Sequence, residues 1–276
     1  MKNFKPFILL FVSLFLITSC NEDEDFNLPL PNGNTTVFDL NEKAVTGISG
    51  KATFVENEDA SITLVLDISG TPANGVHPAH IHFNSALEGG AIALSFNPVD
   101  GNNGKSVTTF TTLNDGTPVS YNDMINFDGY INVHLSEDDL GTIVAQGDIG
   151  RNDLTGDQKV YTLNEKDVAG ISGIATFYKR VDGSALAVLN IINTPTNGSH
   201  PAHIHENDAA TGGPIAFSFN PVDGNTGMSM TQVEVLDNNT PINFDEILTF
   251  NGYINVHLSA TQLSTIVAQG NIGSNI

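Results

Sequence analysis

Short runs of alternating apolar and polar residues recur along the chain, parted by clusters of Gly, Asn, Asp and Pro. Residues 50–54, 61–68, 79–82, 91–96, 106–112, 130–135 and 142–149 have the two-residue period or β-branched content of strands. Asn97-Pro-Val-Asp-Gly101, repeated as Asn220-Pro-Val-Asp-Gly224, is turn chemistry. Ser136 and Ser259 stand three residues before Asp139 and Gln262, as capping residues of short turns do. Residues 122–125 and 245–248 suggest another turn, and none of these segments is long enough for a helical layer.

The pattern occurs twice. Residues 37–150 align without a gap on residues 160–273, and 66 of the 114 pairs are identical. Tandem domains follow, each of a size that buries its own core. Residues 151–159 read as a polar linker. Strand-like runs at this density predict an all-β, antiparallel sandwich or small barrel for each repeat.

Charge narrows the functions. The chain carries a formal net charge of -21 with ten Lys and Arg, which excludes a phosphate-neutralising nucleic-acid surface. At the N-terminus, Lys2 and Lys5 precede an apolar run over residues 7–17 that ends Leu16-Ile-Thr-Ser-Cys20. The run suits a signal peptide (1–19) and is short for a membrane span. A small residue before the single Cys resembles the lipobox of bacterial lipoproteins, which implies lipidation at Cys20 and a lipid anchor. Residues 20–36 then form an acidic tether that opens Asn21-Glu-Asp-Glu-Asp25. Such a run resembles a surface-export signal. The expectation is an outer-membrane lipoprotein at the cell surface, with a periplasm-facing position as the alternative.

All eight histidines fall in the repeats, as His77, His80, His82 and His134 and again as His200, His203, His205 and His257. Strand alternation puts His80 and His82 on one face and Ala79 and Ile81 on the other. By the same rule His134 shares a face with Tyr130 and Asn132, opposite Ile131 and Val133. If the two strands lie close, three imidazoles converge as in an open metal site for copper or zinc. His77 and His200 are candidate fourth ligands. Two other readings stand beside this one: a His–Asn–Tyr network that fixes strand pairing, and a surface for a protein or matrix partner. No Gly-x-Ser-x-Gly, phosphate loop or dinucleotide fingerprint occurs, so no catalytic residue is assigned.

The ordered set Gly50-Lys-Ala-Thr-Phe54, Ala79-His-Ile-His82, Gly89-Gly90 and Tyr130-Ile-Asn-Val-His134 resembles the CHRD domain, first recognised in the extracellular antagonist chordin. Both repeats carry the set. The resemblance implies an immunoglobulin-like β-barrel with limited similarity to copper/zinc superoxide dismutases. The closing strands depart from the family pattern. They read Ile143-Val-Ala-Gln-Gly147 and Ile266-Val-Ala-Gln-Gly270, without the family arginine, so no role is carried over for it. The dismutases hold copper by a His-x-His strand and a distant His, matched here by His80, His82 and His134 and by His203, His205 and His257. The repeat lacks the bridging histidine, the zinc loop, the disulfide and the active-site arginine of those enzymes, so dismutase-like redox chemistry is the weakest reading. The expected function is a non-catalytic binding or adhesion module, with metal binding as its alternative.

Overall fold

The computed structural model describes residues 33–276. The expected signal peptide, Cys20 and the tether as far as residue 32 lie outside the described residues.

The first repeat forms β1 (Thr35–Glu42), β2 (Ser49–Glu56), β3 (Ile62–Ser69), β4 (Val76–His77), β5 (Ala79–Phe83), β6 (Ile92–Ser95), β7 (Val99–Asp100), β8 (Lys105–Phe110), the short helix α1 (Tyr121–Ile125), β9 (Asp128–Ser136) and β10 (Asp139–Gly150). The second forms β11 (Leu154–Glu165), β12 (Ser172–Arg180), β13 (Ala185–Ile192), β14 (Ser199–His200), β15 (Ala202–Glu206), β16 (Ile215–Ser218), β17 (Val222–Asp223), β18 (Met228–Val233), α2 (Phe244–Ile247), β19 (Asn251–His257) and β20 (Ile266–Gly273). Strand order is β4-β7-β8-β3-β2-β1-β10-β9-β5-β6, and the second repeat has the equivalent order.

Each first strand turns the corner. Residues 35–40 of β1 pair with β2, whereas Asn41 and Glu42 pair with β10. The sheet therefore curls over its own inner face, giving two tandem antiparallel β-sandwich domains of half-barrel form, the all-β class expected from the alternation. That inner face is the core. Leu40, Phe54, Leu64 and Leu66 from one half meet Ile81, Ile131, Val133 and Ile149 from the other, each at most 1% exposed. At roughly 25 cal/mol per Å² of apolar surface, this burial is the main stabilising term.

The two short helices sit where turns were expected. Ser120 and Asp123 cap α1 reciprocally, and Asn243 and Glu246 do the same for α2. Around Ser136 no helix forms. Its hydroxyl accepts the Asp139 N–H at 3.1 Å and tightens the β9–β10 hairpin instead.

Residues 154–159, expected as linker, belong to β11, which pairs Leu154 with Arg180 and Gln158 with Tyr178. The connection proper is three residues long, and it is clamped. Arg180 is 1% exposed, and its Nη1 donates to Asp148 Oδ2 at 2.9 Å and to the carbonyl of Asn152. Val181 and Asp182 donate backbone N–H groups to the carbonyls of Asp153 and Arg151, each at 3.0 Å. The equivalent positions, Asn57 and Asn271, carry no charge, so the pair belongs to the junction and not to the repeat.

Removing one partner of a buried ion pair strands the other charge. Asp148→Ala is expected to lower stability by about 3 kcal/mol, read from the urea midpoint of the full-length chain. Asp148→Ala combined with Arg180→Met is expected to recover most of that loss.

Candidate metal centre

Core packing places the histidines. On β5, Ala79 and Ile81 are 1% and 0% exposed and fill the inner face, so His80 and His82 must project outward. On β9, Ile131 and Val133 do the same and leave Tyr130, Asn132 and His134 outward. Antiparallel pairing sets His80 opposite Asn132 and His82 opposite Tyr130. His134 then lies diagonal to His80, close enough for side chains to meet. Ring centroids of His80 and His134 are 5.2 Å apart, and those of His80 and His82 6.0 Å.

One nitrogen from each of His80, His82 and His134 lies within 4.8 Å of the others, and the same holds for His203, His205 and His257. Backbone carbonyls select the tautomers. His82 donates Nδ1–H to the carbonyl of Gly90 at 3.0 Å, and His134 donates Nδ1–H to that of Leu140 at 2.7 Å. A carbonyl only accepts, so the Nε2 lone pairs are left free. In the second repeat His205 and His257 bond the carbonyls of Gly213 and Leu263 at 2.9 and 2.6 Å. Among the described residues, Nδ1 of His80 and Nε2 of His82 and His134 are buried without a partner, as are Nδ1 of His203 and Nε2 of His205 and His257; so are Nε2 of His77 and His200 and Nε of Arg180, which stand apart from the two clusters.

The glycine pair explains itself here. Tyr130 stacks on His82 with centroids 4.9 Å apart, and its hydroxyl bonds the backbone of Gly90. Gly90 thus supports both rings, and a Cβ on it would stand 2.0 Å from the Phe83 carbonyl. Gly213 serves His205 and Tyr253 in the same way, with Gly213 N–H to the tyrosine oxygen at 3.2 Å. The loop must approach closely, and only glycine permits it.

Asn132 does not bond the histidines. Its Oδ1 accepts from Gln146 Nε2 at 2.8 Å, and Asn255 pairs with Gln269 identically. A strand-pairing His–Asn–Tyr network therefore fails to account for the free imidazole nitrogens. His77 and His200 lie outside both groups. Each is 1% exposed and donates Nδ1–H to the carbonyl of His134 or His257, at 3.2 and 3.3 Å. They steady the strands that carry His134 and His257. Residue spacing did not reveal Gly90, Leu140 or Gln146 as supports, because two act through their backbone and one through a partner fourteen residues away.

Comparison with family models, curated proteins and solved structures finds no match. The chemistry rests on the residues alone.

Burial lowers His80 to about 4, and the neighbouring His134 and His82 push it the same way. Burial also lowers His134, His203 and His257. Burial thus disfavours the protons that would compete for the lone pairs of His80, His134, His203 and His257. Three nitrogen donors with further positions open suit copper or zinc, whereas calcium and magnesium prefer oxygen.

Unfolded, these imidazoles titrate near 6.5, and folded His80 titrates near 4. Between those values the unfolded chain binds more protons, so stability is present above that window and is lost as pH falls through it. Thermal melts of metal-free protein are expected to show Tm declining steadily from pH 6.5 to 4. Replacing His80 with Gln is expected to flatten that decline.

Proposed function

We propose that this chain is a lipid-anchored protein whose two CHRD-like domains each hold one copper or zinc ion. The observation that carries the reading is the convergence of three imidazoles whose inward nitrogens are buried and partnerless. A buried unmade hydrogen bond costs about 1–3 kcal/mol, so three together in one place are costly unless a ligand takes them. Carbonyl bonds on the far nitrogens of two ligands are the support usual for metal-bound histidine. His80, His82 and His134 hold the first ion, and His203, His205 and His257 the second. A bound ion would present a Lewis-acidic centre with room for one more ligand. The proposal is of binding, without a reaction.

Isothermal titration of the full-length chain with Cu²⁺ and with Zn²⁺ tests this. One ion per repeat is expected, and the triple substitution His80→Ala, His82→Ala, His134→Ala is expected to remove half of the binding. A metal at 100 times its Kd is expected to stabilise its domain by about 2.7 kcal/mol. No binding at micromolar metal, or unchanged stoichiometry in the triple variant, overturns the reading.

A binding or adhesion module is the second reading, and a difference between the outer sheet faces favours it. The first repeat carries the ion pairs Lys51–Asp39 and Lys105–Asp67, both at 2.6 Å. The second has Ile174 with Thr162 and Met228 with Asn190 at those positions, and Ile174 and Met228 are 39% and 43% exposed. Adhesion requires display outside the cell. Protease added to intact cells is expected to cleave the protein, and full protection until the outer membrane is opened would place it facing the periplasm.

A further inference from the structure

Beside His203 the second repeat carries a carboxylate that the first lacks. His203 pairs across to Ser218 on β16. Asp237 clasps that serine twice: Ser218 N–H donates to Oδ1 at 3.1 Å and the Ser218 hydroxyl donates to Oδ2 at 2.7 Å. In the first repeat His80 pairs with Ser95, and the clasp is Asn114. Ser95 N–H donates to Asn114 Oδ1 at 3.2 Å, but Asn114 Nδ2–H donates to the Ser95 hydroxyl at 3.1 Å. Asn114 and Asp237 are themselves anchored alike, through backbone N–H bonds of 3.0 Å to the carbonyls of Ala93 and Ala216.

The geometry is the same and the chemistry is not. The second repeat has its carboxylate on the clasp itself, whereas the first carries it one residue on, at Asp115, which accepts from Thr117 N–H and stands where the second repeat has Asn238. The serine also reverses its role, because the Ser218 proton is committed to Asp237 whereas the Ser95 proton is free to be donated. Both His80 and His203 feel burial first and their two neighbouring histidines next, and Asp237 adds a smaller, opposing influence at His203 alone. The β9–β10 hairpin of the first repeat does carry Glu137 and Asp138, where the second has Ala260 and Thr261. Both acids are exposed on the turn, and neither is clasped to a strand that bears a ligand.

We propose that Asp237 tunes the second histidine set to hold a divalent cation more tightly than a neutral clasp allows, so that the two sites fill in order. The inference rests on the metal reading above. A carboxylate behind a ligand favours the cationic complex by Coulomb attraction, and at an exposed position such as that of Asp237 this is worth roughly threefold to tenfold in affinity at low salt. Copies of one domain would then serve different cation concentrations.

Zinc titration of the full-length chain, with one site deleted by His→Ala substitutions at its three ligands, reads each site separately. Asp237→Asn is expected to weaken the second site by roughly threefold to tenfold, and Asn114→Asp to strengthen the first by a similar factor. Both effects are expected to shrink in about 0.5 M salt. Both exchanges are nearly isosteric, and far-UV circular dichroism checks the fold. If either variant fails to fold, the other decides. Zinc binding that neither exchange shifts by more than about twofold overturns this inference and leaves the metal reading standing. Absence of zinc binding in the unaltered chain removes both.

Discussion

The register between β5 and β9 is the constraint on which the rest depends. Ile81 faces Ile131, and Ala79 faces Val133, on the side that closes the core. These four side chains are at most 1% exposed. Slipping β5 by one residue would turn that strand over, exposing Ala79 and Ile81 and turning His80 and His82 towards the core in their place. Hydrophobic burial, which is not directional, thus fixes the position of groups whose chemistry is highly directional. The histidines need no attraction for one another to be brought together, because the apolar residues between them decide where they point.

Carbonyl groups then do what packing cannot. An imidazole in an apolar-backed pocket has two tautomers and a rotatable ring, and either freedom would scatter the lone pairs. The bonds from His82 to Gly90 and from His134 to Leu140 choose one tautomer and one ring orientation. The Gly90 contact depends on the tight loop at Gly89 and Gly90, and the Leu140 contact on the hairpin that begins at Asp139. His80 has no such bond on its buried nitrogen, and burial keeps it neutral instead. His77 and His200 also leave Nε2 without a partner, so what sets the trio apart is that its three open nitrogens converge. Three such nitrogens gathered within 4.8 Å of one another in each domain call for an explanation beyond packing.

Much of this was legible in the sequence because strands have a period of two. The words His80-Ile-His82 and Tyr130-Ile-Asn-Val-His134 state the faces directly, and their shared alternation gives the convergence once the strands are neighbours. Three features were not legible. Backbone carbonyls have no residue signature, so Gly90 and Leu140 looked like a loop and a leucine. Asn132 looked like a partner for histidine, and only the β9–β10 register reveals Gln146 opposite it. His77 sits three residues before His80, yet Pro78 and the two-residue strand β4 turn it to the carbonyl of His134 and away from the ligand group. The β11 extension was hidden as well, because Asn, Asp and Gly are read as linker when no pairing partner is in view.

The comparison of the repeats carries the last step. Two of the differences between the repeats come as pairs whose members touch. Lys51 and Asp39 become Ile174 and Thr162, and Lys105 and Asp67 become Met228 and Asn190. Such exposed pairs are worth at most about 1 kcal/mol, so exchanging both members together costs little, whereas losing one leaves an unpaired charge. Asn57 and Asn271 stand where the junction has Arg180 and Asp148, and there the ion pair is buried and specific to the contact between domains. The change from Asn114 to Asp237 is of another kind. It alters one member alone, since its serine partner is the same residue in both repeats. In the first repeat the neighbouring position holds the carboxylate, as Asp115, where the second repeat has Asn238, so the charge shifts by one residue onto the clasp of the serine that lies across from His203.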